Sequence, residues 1–489
     1  MVVSSYLPFF AIIISTVLAF FIYFSRQNPN LREFWTILAS IIKFLIIVSM
    51  IPVILSGKTI ECSLFSVFPG LDLSFRVDGL GIFFAITASF LWILTSFYSI
   101  GYVRSLKEHA QTRYFICFAI SLSSTIGVAF SANLFTMYIF YEILTLSTYP
   151  LVGHEETKEA LRGAKIYLVY LLGTSIAFLL PAIIATYIFT GSLEFTNGGI
   201  FYEFWQQSDS NVLISILFVL FILGITKSAI MPLHSWLPNA MVAPTPVSAL
   251  LHAVAVVKTG VFVVIRVVLD IFGIEVLSAT GLGIYLAYFA SITIIVASIV
   301  ALRQDNIKAR LAYSTISQLS YIIVGVSLLT PAAIKGSILH IIIHAFSKIT
   351  LFFWAGAILV GYGKKYVSEL SGVGRKMPFS MAAFTLGALS LIGLPPFAGL
   401  VSKMFFLTGA YQAGQIPIMV IYAASSFLNA AYFIPIIYIA YFKDLPEGTS
   451  PAFKEAPALM LTPMIITAIG TIILFFVPYL LLQLLKYGV

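Results

Sequence analysis

Apolar runs about as long as a bilayer is thick follow one another through the whole chain of 489 residues. Windows of roughly 20 apolar residues give fourteen spans, numbered here 1 to 14. These spans cover residues 5–24, 34–55, 80–101, 113–130, 132–152, 163–190, 212–232, 245–269, 278–302, 310–329, 331–361, 380–410, 416–442 and 457–484. Charged residues make up 9% of the chain, far below the roughly one quarter typical of soluble domains. The sequence therefore predicts an all-α polytopic membrane protein that forms one membrane domain.

The distribution of basic residues between loops predicts the orientation of the chain. Loops after odd-numbered spans hold most of the 27 basic residues, whereas loops after even-numbered spans hold few. Because basic loops stay on the cytoplasmic side, both termini are expected on the outer side. The amino terminus has no positive leader and reads as a retained helix instead of a cleaved signal, and the short loops and the absence of a transit peptide favour a prokaryotic plasma (inner) membrane. The formal net charge of +8 is scattered over short loops, so nucleic acid is not an expected partner.

Six basic residues lie inside the apolar spans, and all six are lysines. They are Lys43, Lys227, Lys258, Lys335, Lys348 and Lys403. A cation at mid-membrane costs roughly 2.5–3.5 kcal/mol on insertion scales. Lysine can lose its proton when it is desolvated, whereas arginine stays charged, so lysine suits a proton relay. Lys43 and Lys335 lie near enough to helix ends to act as snorkelling anchors. The other four lie deeper and are candidate functional residues.

Glu142 is the one acid of 19 that falls well inside a span, within NLFTMYIFYEILTLSTYPLV. A carboxylate at that depth needs a cation beside it to stay charged. Lys227 is the natural partner. Two interpretations stay open: a static ion pair that fixes helix packing, or an ion-translocating pair, which is the usual role of ionisable groups inside a membrane.

The segment after Lys227 is interrupted by prolines. Pro232 and Pro238 predict a broken helix in span 7, and broken helices at membrane depth line polar cavities. His234 on this segment either delivers protons toward Lys227 or caps the loop.

The second half of the chain repeats this combination in LSLIGLPPFAGLVSKMFF. Pro395 and Pro396 precede Lys403 by about two turns, as a second proline-broken helix with a buried lysine. Paired interrupted helices in the two halves are typical of inverted-repeat transporters.

Histidines accompany two of the remaining lysines. His252, a candidate access group, lies six residues before Lys258 in span 8. His340, His344 and Lys348 recur every fourth residue in span 11, which stacks them on one helix face over about 12 Å. Two histidines at this spacing also suit zinc, but the same helix has no cysteine or acid, so a proton wire is the preferred interpretation.

Several of these segments together resemble a known family. The segments YEILTLSTYPLVG, KSAIMPLHSWLPNAMVAPTPVSALLHAVAVVKTGVFVVIR, DNIKARLAYSTISQLSYI, HIIIHAFSKITLFFWAGA and LIGLPPFAGLVSKMFF occur in this order. They are similar to the antiporter-like proton-translocating subunits shared by respiratory complex I, Mrp-type cation/proton antiporters and membrane-bound hydrogenases. The resemblance covers about residues 75 to 440.

The resemblance implies a division of the chain into helices 1–3, two inverted five-helix repeats with helices 7 and 12 broken, and a last helix. The corresponding residues are 1–112, 113–270, 278–442 and 457–489. It also implies roles for several of the ionisable residues inside the spans. Glu142 and Lys227 would form the coupling pair, and Lys403 would be the exit lysine. The central hydrophilic axis would consist of Lys258, His340, His344 and Lys348.

The segment NAMVAPTPVSALLHAVAVVKTGVF looks most like the D-type subunit of Mrp antiporters. The resemblance then implies other membrane subunits of a hetero-oligomeric complex as partners, protons as the ion and sodium as a further candidate. We expect no cofactor and no redox centre in the chain itself. The alternatives are a proton-pumping subunit of complex I and a purely structural membrane anchor. A membrane enzyme or lipid transporter is disfavoured, because we find no phosphate loop, nucleophile elbow or metal cluster.

Overall fold

Long helices that run beside one another form most of the computed structural model, which describes residues 2–68, 71–208, 210–445 and 454–485. Each of the fourteen predicted spans overlaps a helix or a pair of helices. The unbroken spans 1 to 6 are Leu7–Phe24, Pro29–Leu55, Gly79–Leu106, Gln111–Phe130, Leu134–Val152 and Lys158–Thr190. Spans 9, 10, 11, 13 and 14 are Leu282–Arg303, Ile307–Ser327, Pro331–Tyr362, Ile416–Phe442 and Ala458–Phe476. Within the described residues, nine helices are long and apolar enough to cross a membrane, which fits a polytopic all-α membrane protein.

The remaining spans are interrupted. Span 7 consists of Asn211–Gly224, the 3-10 turn Thr226–Ser228, and the short helical pieces Trp236–Asn239 and Ala240–Val242. Span 8 consists of Thr245–Ala249, the π-helical turn Leu250–Val254, Val256–Arg266 and a second π-helical stretch, Val267–Phe272. Span 12 is split into Pro378–Ile392 and Ala398–Gln412. Span 6 contains one π-helical turn, Ser175–Leu179, and the short helices Phe201–Gln207, Ile274–Ala279 and Val373–Lys376 lie outside the spans. The end of the predicted span 14 forms a separate short helix, Pro478–Leu485.

Span 7 breaks earlier than the sequence predicts. Its long helix ends at Gly224, eight residues before Pro232, so the prediction that residues up to 232 form the helix is wrong. Gly224 lies so close to span 6 that a Cβ there would be 2.5 Å from the backbone nitrogen of Leu179. The prolines follow the break instead of causing it: Pro232 lies in the non-helical segment and Pro238 in a four-residue helix. In span 12, by contrast, Pro395 and Pro396 lie between the two helices as predicted.

A small sheet, which the hydropathy pattern did not predict, covers one end of the first helices. Strand β1 (Val2–Ser4) pairs in parallel with β2 (Thr59–Phe68), and β2 pairs antiparallel with β3 (Leu71–Val77). The sequence of β3, LDLSFRV, alternates strictly between apolar and polar residues, which is the period of a half-buried strand. The all-α prediction is therefore correct for the membrane part and incomplete for the loop after span 2.

Loops gather at two opposite ends, as the count of spans requires. At one end Arg113 forms an ion pair with Glu156, and Asn306 pairs with Tyr366 in an isolated antiparallel β-bridge. Both contacts join loops that follow odd-numbered spans. At the other end the backbone of Phe195 donates to the carbonyl of Ala132, and Arg76 in β3 pairs with Glu61 in β2. Loops after even-numbered spans meet there.

Span 11, Pro331–Tyr362, lies at the centre of the bundle. Its most apolar 18 residues are completely buried, and it contacts spans 3, 8, 10, 12 and 14. The fold therefore places the face that carries His340, His344 and Lys348 deep inside the protein.

Candidate functional site

Lys227 lies in the short turn that follows the break of span 7. Its ammonium is fully buried and donates to the carbonyl of Tyr141 at 3.0 Å and to the hydroxyl of Thr145 at 2.7 Å. It also lies 3.1 Å from the centre of the Tyr141 ring, in a cation–π contact. Span 5 thus compensates the buried charge with a carbonyl, a hydroxyl and an aromatic face.

The backbone of the break is satisfied within the protein, as it must be at membrane depth. The indole of Trp236 donates to the carbonyl of Thr226 at 3.1 Å, and the hydroxyl of Ser228 donates to the carbonyl of Ile225 at 2.7 Å. These bonds replace helical ones, so the open turn that presents Lys227 to span 5 is stable without a continuous helix.

Glu142 is one residue from the carbonyl that Lys227 binds, but the two charged groups are not in contact. No ion pair within 4.0 Å joins them, and among the described residues neither carboxylate oxygen of Glu142 has a hydrogen-bond partner. Glu142 nevertheless lies close enough to act on Lys227 electrostatically. The structure therefore holds the predicted pair as neighbours, with the lysine attached to Tyr141 and Thr145.

The helix that carries Lys258 packs directly on this turn. A Cβ at Gly260 would lie 2.3 Å from the carbonyl carbon of Lys227 and 2.3 Å from the backbone nitrogen of Ser228. Only glycine permits such an approach, so this residue brings the two lysine-bearing segments into contact.

Lys258 differs from the other deep lysines in its partner. Its ammonium nitrogen lies 2.5 Å from Nδ1 of His344, and both residues are buried. The other ring nitrogen of His344 has no partner among the described residues. An imidazole can accept and release protons, so this contact joins two groups that can both titrate.

The histidine face of span 11 continues toward span 12. The rings of His344 and His340 are 5.8 Å apart between centroids and inclined by 24°. Nδ1 of His340 lies 2.8 Å from the hydroxyl of Ser402, and Nε2 lies 3.1 Å from the amide oxygen of Gln318. Ser402 immediately precedes Lys403, so the predicted stack leads to the second broken helix.

Lys348, at the end of the same stack, points to span 10 instead of to another ionisable group. Its ammonium donates to the hydroxyl of Ser314 at 2.8 Å and to the carbonyl of Leu311 at 3.3 Å. This is the same combination of one carbonyl and one hydroxyl that holds Lys227.

Lys403 reaches back across the break of span 12. Its ammonium donates to the carbonyls of Leu391 and Ile392, both at 2.8 Å, and to the hydroxyl of Ser426 at 2.9 Å. Leu391 and Ile392 end the preceding helix, where carbonyls lack helical partners and the helix dipole favours a cation. The break in span 12 therefore creates the binding site for its own lysine.

The two candidate access histidines are placed differently. Nδ1 of His234 lies 3.2 Å from the carbonyl of Pro232, which is the geometry of a loop cap. His252 lies in the π-helical turn of span 8, fully buried against Phe352 with 4.7 Å between ring centroids. Neither ring nitrogen of His252 has a partner among the described residues.

A cavity of about 390 Å³ opens at the end where the loops after odd-numbered spans meet. Its lining includes Tyr102, Glu155, Glu159, Thr245, Lys308 and Lys364. Lys308 donates to the carbonyl of Ala243 at 2.5 Å and is close enough to act electrostatically on His252. Lys308 falls between the predicted spans 9 and 10, where a loop lysine is expected in solvent. The cavity position was not predictable, because a lysine at the start of a helix has no sequence signal that separates a solvated from a cavity-lining side chain.

Lys43 contradicts its predicted role as a snorkelling anchor. It lies near the middle of the helix Pro29–Leu55, its exposed fraction is 0%, and its ammonium has no hydrogen-bond partner among the described residues. The side chain lies 5.5 Å from the ring of Trp92 and does not reach a helix end. The prediction is wrong because Lys43 lies more than three turns from either end of the helix Pro29–Leu55, too far for its side chain to reach the membrane surface.

Comparisons with known proteins identify the family. The family description NADH:quinone oxidoreductase/Mrp antiporter, transmembrane, matches residues 131–429, which include every deep lysine and histidine described above except Lys43. The chain belongs to this family. NADH-quinone oxidoreductase subunit N of Desulforudis audaxviator is 31% identical over 422 residues, 83% of this chain and 82% of that protein.

Other members differ in length and in the complexes that they are named for. A Staphylococcus haemolyticus protein that carries the name antiporter subunit mnhA2 is 30% identical over 93% of this chain, and this chain covers 59% of it. The structure of a membrane-bound sulfane sulfur reductase, an archaeal respiratory membrane complex, contains a chain with a TM-score of 0.86 at 22% identity. The alignment covers 99% of this chain and 97% of that one, so the whole fold is shared. The family resemblance inferred from sequence motifs is confirmed.

Proposed function

We propose that this chain is a proton-translocating subunit of a multisubunit membrane complex of the Mrp antiporter type. The observation that carries the proposal is the contact between Lys258 and His344, continued by the stacked ring of His340 and by Ser402. Ionisable groups inside a membrane are costly and are retained where they move ions. Here they form a line through the bundle centre from span 8 to span 12.

In this proposal Glu142 and Lys227 act as the coupling pair. Lys227 alternates between its hydrogen bonds on span 5 and an ion pair with Glu142, whose carboxylate lacks a hydrogen-bond partner in the described structure. Protons pass along Lys258, His344 and His340, with Lys348 as a branch toward span 10. Lys403 releases them on the other side of the membrane.

The cavity that Lys308 lines supplies the inner entrance in this scheme. It lies among loops after odd-numbered spans, which carry most of the basic residues and are therefore assigned to the cytoplasmic side. His252, which Lys308 and Lys258 both act on electrostatically, is the group that would receive protons from the cavity. Both termini then lie outside a prokaryotic plasma membrane.

Partners follow from the relatives. Proteins similar to this chain are named as subunits of a quinone oxidoreductase and of an antiporter, and the similar fold comes from a respiratory membrane complex. We propose that this chain likewise assembles with other membrane subunits, in a D-type position of an Mrp-like complex, with sodium as the exchanged cation. The second candidate is a proton-pumping subunit of a complex I-like oxidoreductase, which the 82% coverage of the subunit N relative favours.

The test measures proton and sodium flux in inverted vesicles that contain the complete parent complex. Lys227→Ala and Lys258→Ala are compared with wild type, and a native gel measures the amount of assembled complex. Loss of proton flux per assembled complex supports the relay. Sodium-dependent flux without an electron donor supports an antiporter, whereas flux that requires quinone reduction supports the complex I-like alternative.

A static anchor makes the opposite prediction. If the buried lysines only fix helix packing, the same variants lose assembled complex, while the flux of each remaining complex stays at the wild-type value. That result would reject the proposal.

A further inference from the structure

Two histidines and a glutamate form a cluster at the predicted inner end, away from the line of buried lysines. Glu108 and His109 belong to the loop after span 3, and His154 follows the last residue of span 5 by two positions. Their ligand atoms all lie within 4.8 Å of one another. The rings of His109 and His154 are stacked with centroids 4.9 Å apart, and Nε2 of His154 is 3.8 Å from Oε2 of Glu108.

His154 is the unusual member of this cluster. Its exposed fraction is 1%, yet neither ring nitrogen has a hydrogen-bond partner among the described residues. Buried polar atoms nearly always have a partner, and exceptions call for an explanation such as a missing ion. A ring nitrogen of this buried side chain is therefore open to a metal ion.

The charges around the cluster favour a cation. Glu108, Glu155 and Glu156 supply three carboxylates, and Arg113 is a guanidinium that also acts on the site. Arg113 donates to Glu156 at 2.6 Å, so these two charges largely offset each other. Glu108 and Glu155 are then the carboxylates that remain to balance the charge of a bound cation.

We propose that Glu108, His109 and His154 form a binding site for a divalent transition metal of the zinc class. Imidazole and carboxylate ligands together suit zinc and its neighbours, whereas calcium and magnesium prefer oxygen ligands alone. Tetrahedral ligands at 2.0–2.1 Å from zinc lie about 3.3 Å apart. The exposed side chain of His109 and the loop position of Glu108 allow this small contraction around the fixed ring of His154.

A water molecule would complete a tetrahedral set. The carboxylate oxygen of Glu156 that lies 4.0 Å from Nε2 of His109 already accepts from Arg113.

The position of the site gives it a consequence for transport, which rests on the proposed function. His154 is joined through Gly153 to the helix Leu134–Val152, which carries Glu142 and Thr145. A metal would tie the end of this helix to the loop after span 3. We expect the bound metal to restrain the helix that holds Lys227 and so to slow proton flux.

Metal binding itself is tested without any transport assay. The full-length chain is purified in detergent, stripped with a chelator, and titrated with Zn²⁺ and with Co²⁺ as a spectroscopic probe. We expect one metal ion per chain and visible Co²⁺ absorption bands of a tetrahedral site. His154→Ala, His109→Asn and Glu108→Gln are each expected to weaken the affinity at least tenfold, whereas the exposed-site control Asp444→Asn is expected to leave it unchanged.

Two results would overturn the proposal. One is a wild-type chain that binds neither ion. The other is wild-type affinity in both His109→Asn and Glu108→Gln, which would place the metal elsewhere, for example on His340 and His344. Because His154 is buried, His154→Ala also tests folding. If this variant does not fold, His109→Asn and Glu108→Gln decide whether the cluster binds the metal.

Discussion

Replacing Thr145 with valine removes one of the two hydrogen bonds of Lys227 while keeping the shape of the side chain. The lost bond, 2.7 Å from the ammonium to the hydroxyl, has a charged donor. Hydrogen bonds to charged groups contribute about 1.5–3 kcal/mol. Since each 1.4 kcal/mol is a factor of ten, the population of Lys227 held on span 5 should fall about 10- to 100-fold relative to its alternatives.

If transport requires Lys227 to return to this position, the proton flux per assembled complex should fall by up to the same factor of about 10 to 100. The assay is acidification of inverted vesicles, normalised to the complex measured on a native gel. Thr148→Val is the matched control, because Thr148 lies one turn further on the same helix and bonds the carbonyl of Leu144 and the hydroxyl of Tyr167 instead of the lysine. Wild-type flux in Thr145→Val, or an equal loss in Thr148→Val, would refute the assigned role of this hydrogen bond.

Three further substitutions test the packing and the buried charges. Gly260→Ala should destabilise the folded protein by about 1–3 kcal/mol in a thermal-unfolding measurement, because the added Cβ would lie 2.3 Å from the backbone at the break of span 7. Gly173→Ala is the control in the same measurement, because no atom lies within 4 Å of its added Cβ. Lys43→Met should raise the unfolding temperature, because it removes a buried ammonium that has no hydrogen-bond partner among the described residues and whose insertion costs roughly 2.5–3.5 kcal/mol. A lower temperature would mean that the Trp92 ring compensates this charge or that Lys43 has a role of its own. Asp78→Asn should lower the unfolding temperature, because the carboxylate lies 2.7 Å from the buried guanidinium of Arg266 and breaking such a pair costs about 3–5 kcal/mol. An unchanged temperature would show that Asp270, the other partner of Arg266, is enough to stabilise the guanidinium.

Hydropathy and charge predicted the membrane spans well because their physical causes are local. A helix needs about 20 apolar residues to span a bilayer, and each stretch of sequence meets this requirement independently of the others. The end of the helix Asn211–Gly224 was not predictable in this way. At that end Gly224 packs against Leu179, a contact between residues 45 positions apart that no local window contains.

The candidate site was predictable in its charged members and not in their partners. Lysine and glutamate stand out in an apolar window, so Glu142, Lys227 and Lys258 are found by composition alone. Thr145 and Ser314 do not stand out, because hydroxyl side chains in membrane helices commonly bond the carbonyl one turn earlier, as Thr145 also does with Tyr141. Only the packing of two helices shows which hydroxyl also meets a lysine.

The partners of the buried lysines divide them into two kinds. Lys227, Lys348 and Lys403 are each held by backbone carbonyls and hydroxyls, which stabilise an ammonium group but do not readily take its proton. Lys258 is held by His344, which does take protons. Among these four lysines, direct proton exchange with a titratable neighbour is therefore confined to Lys258, at the contact of span 8 with span 11. Transfer to or from the three carbonyl-bound lysines requires that a lysine leave its site or that water enter beside it, and we infer that these local rearrangements, more than the central step, set the rate of the relay.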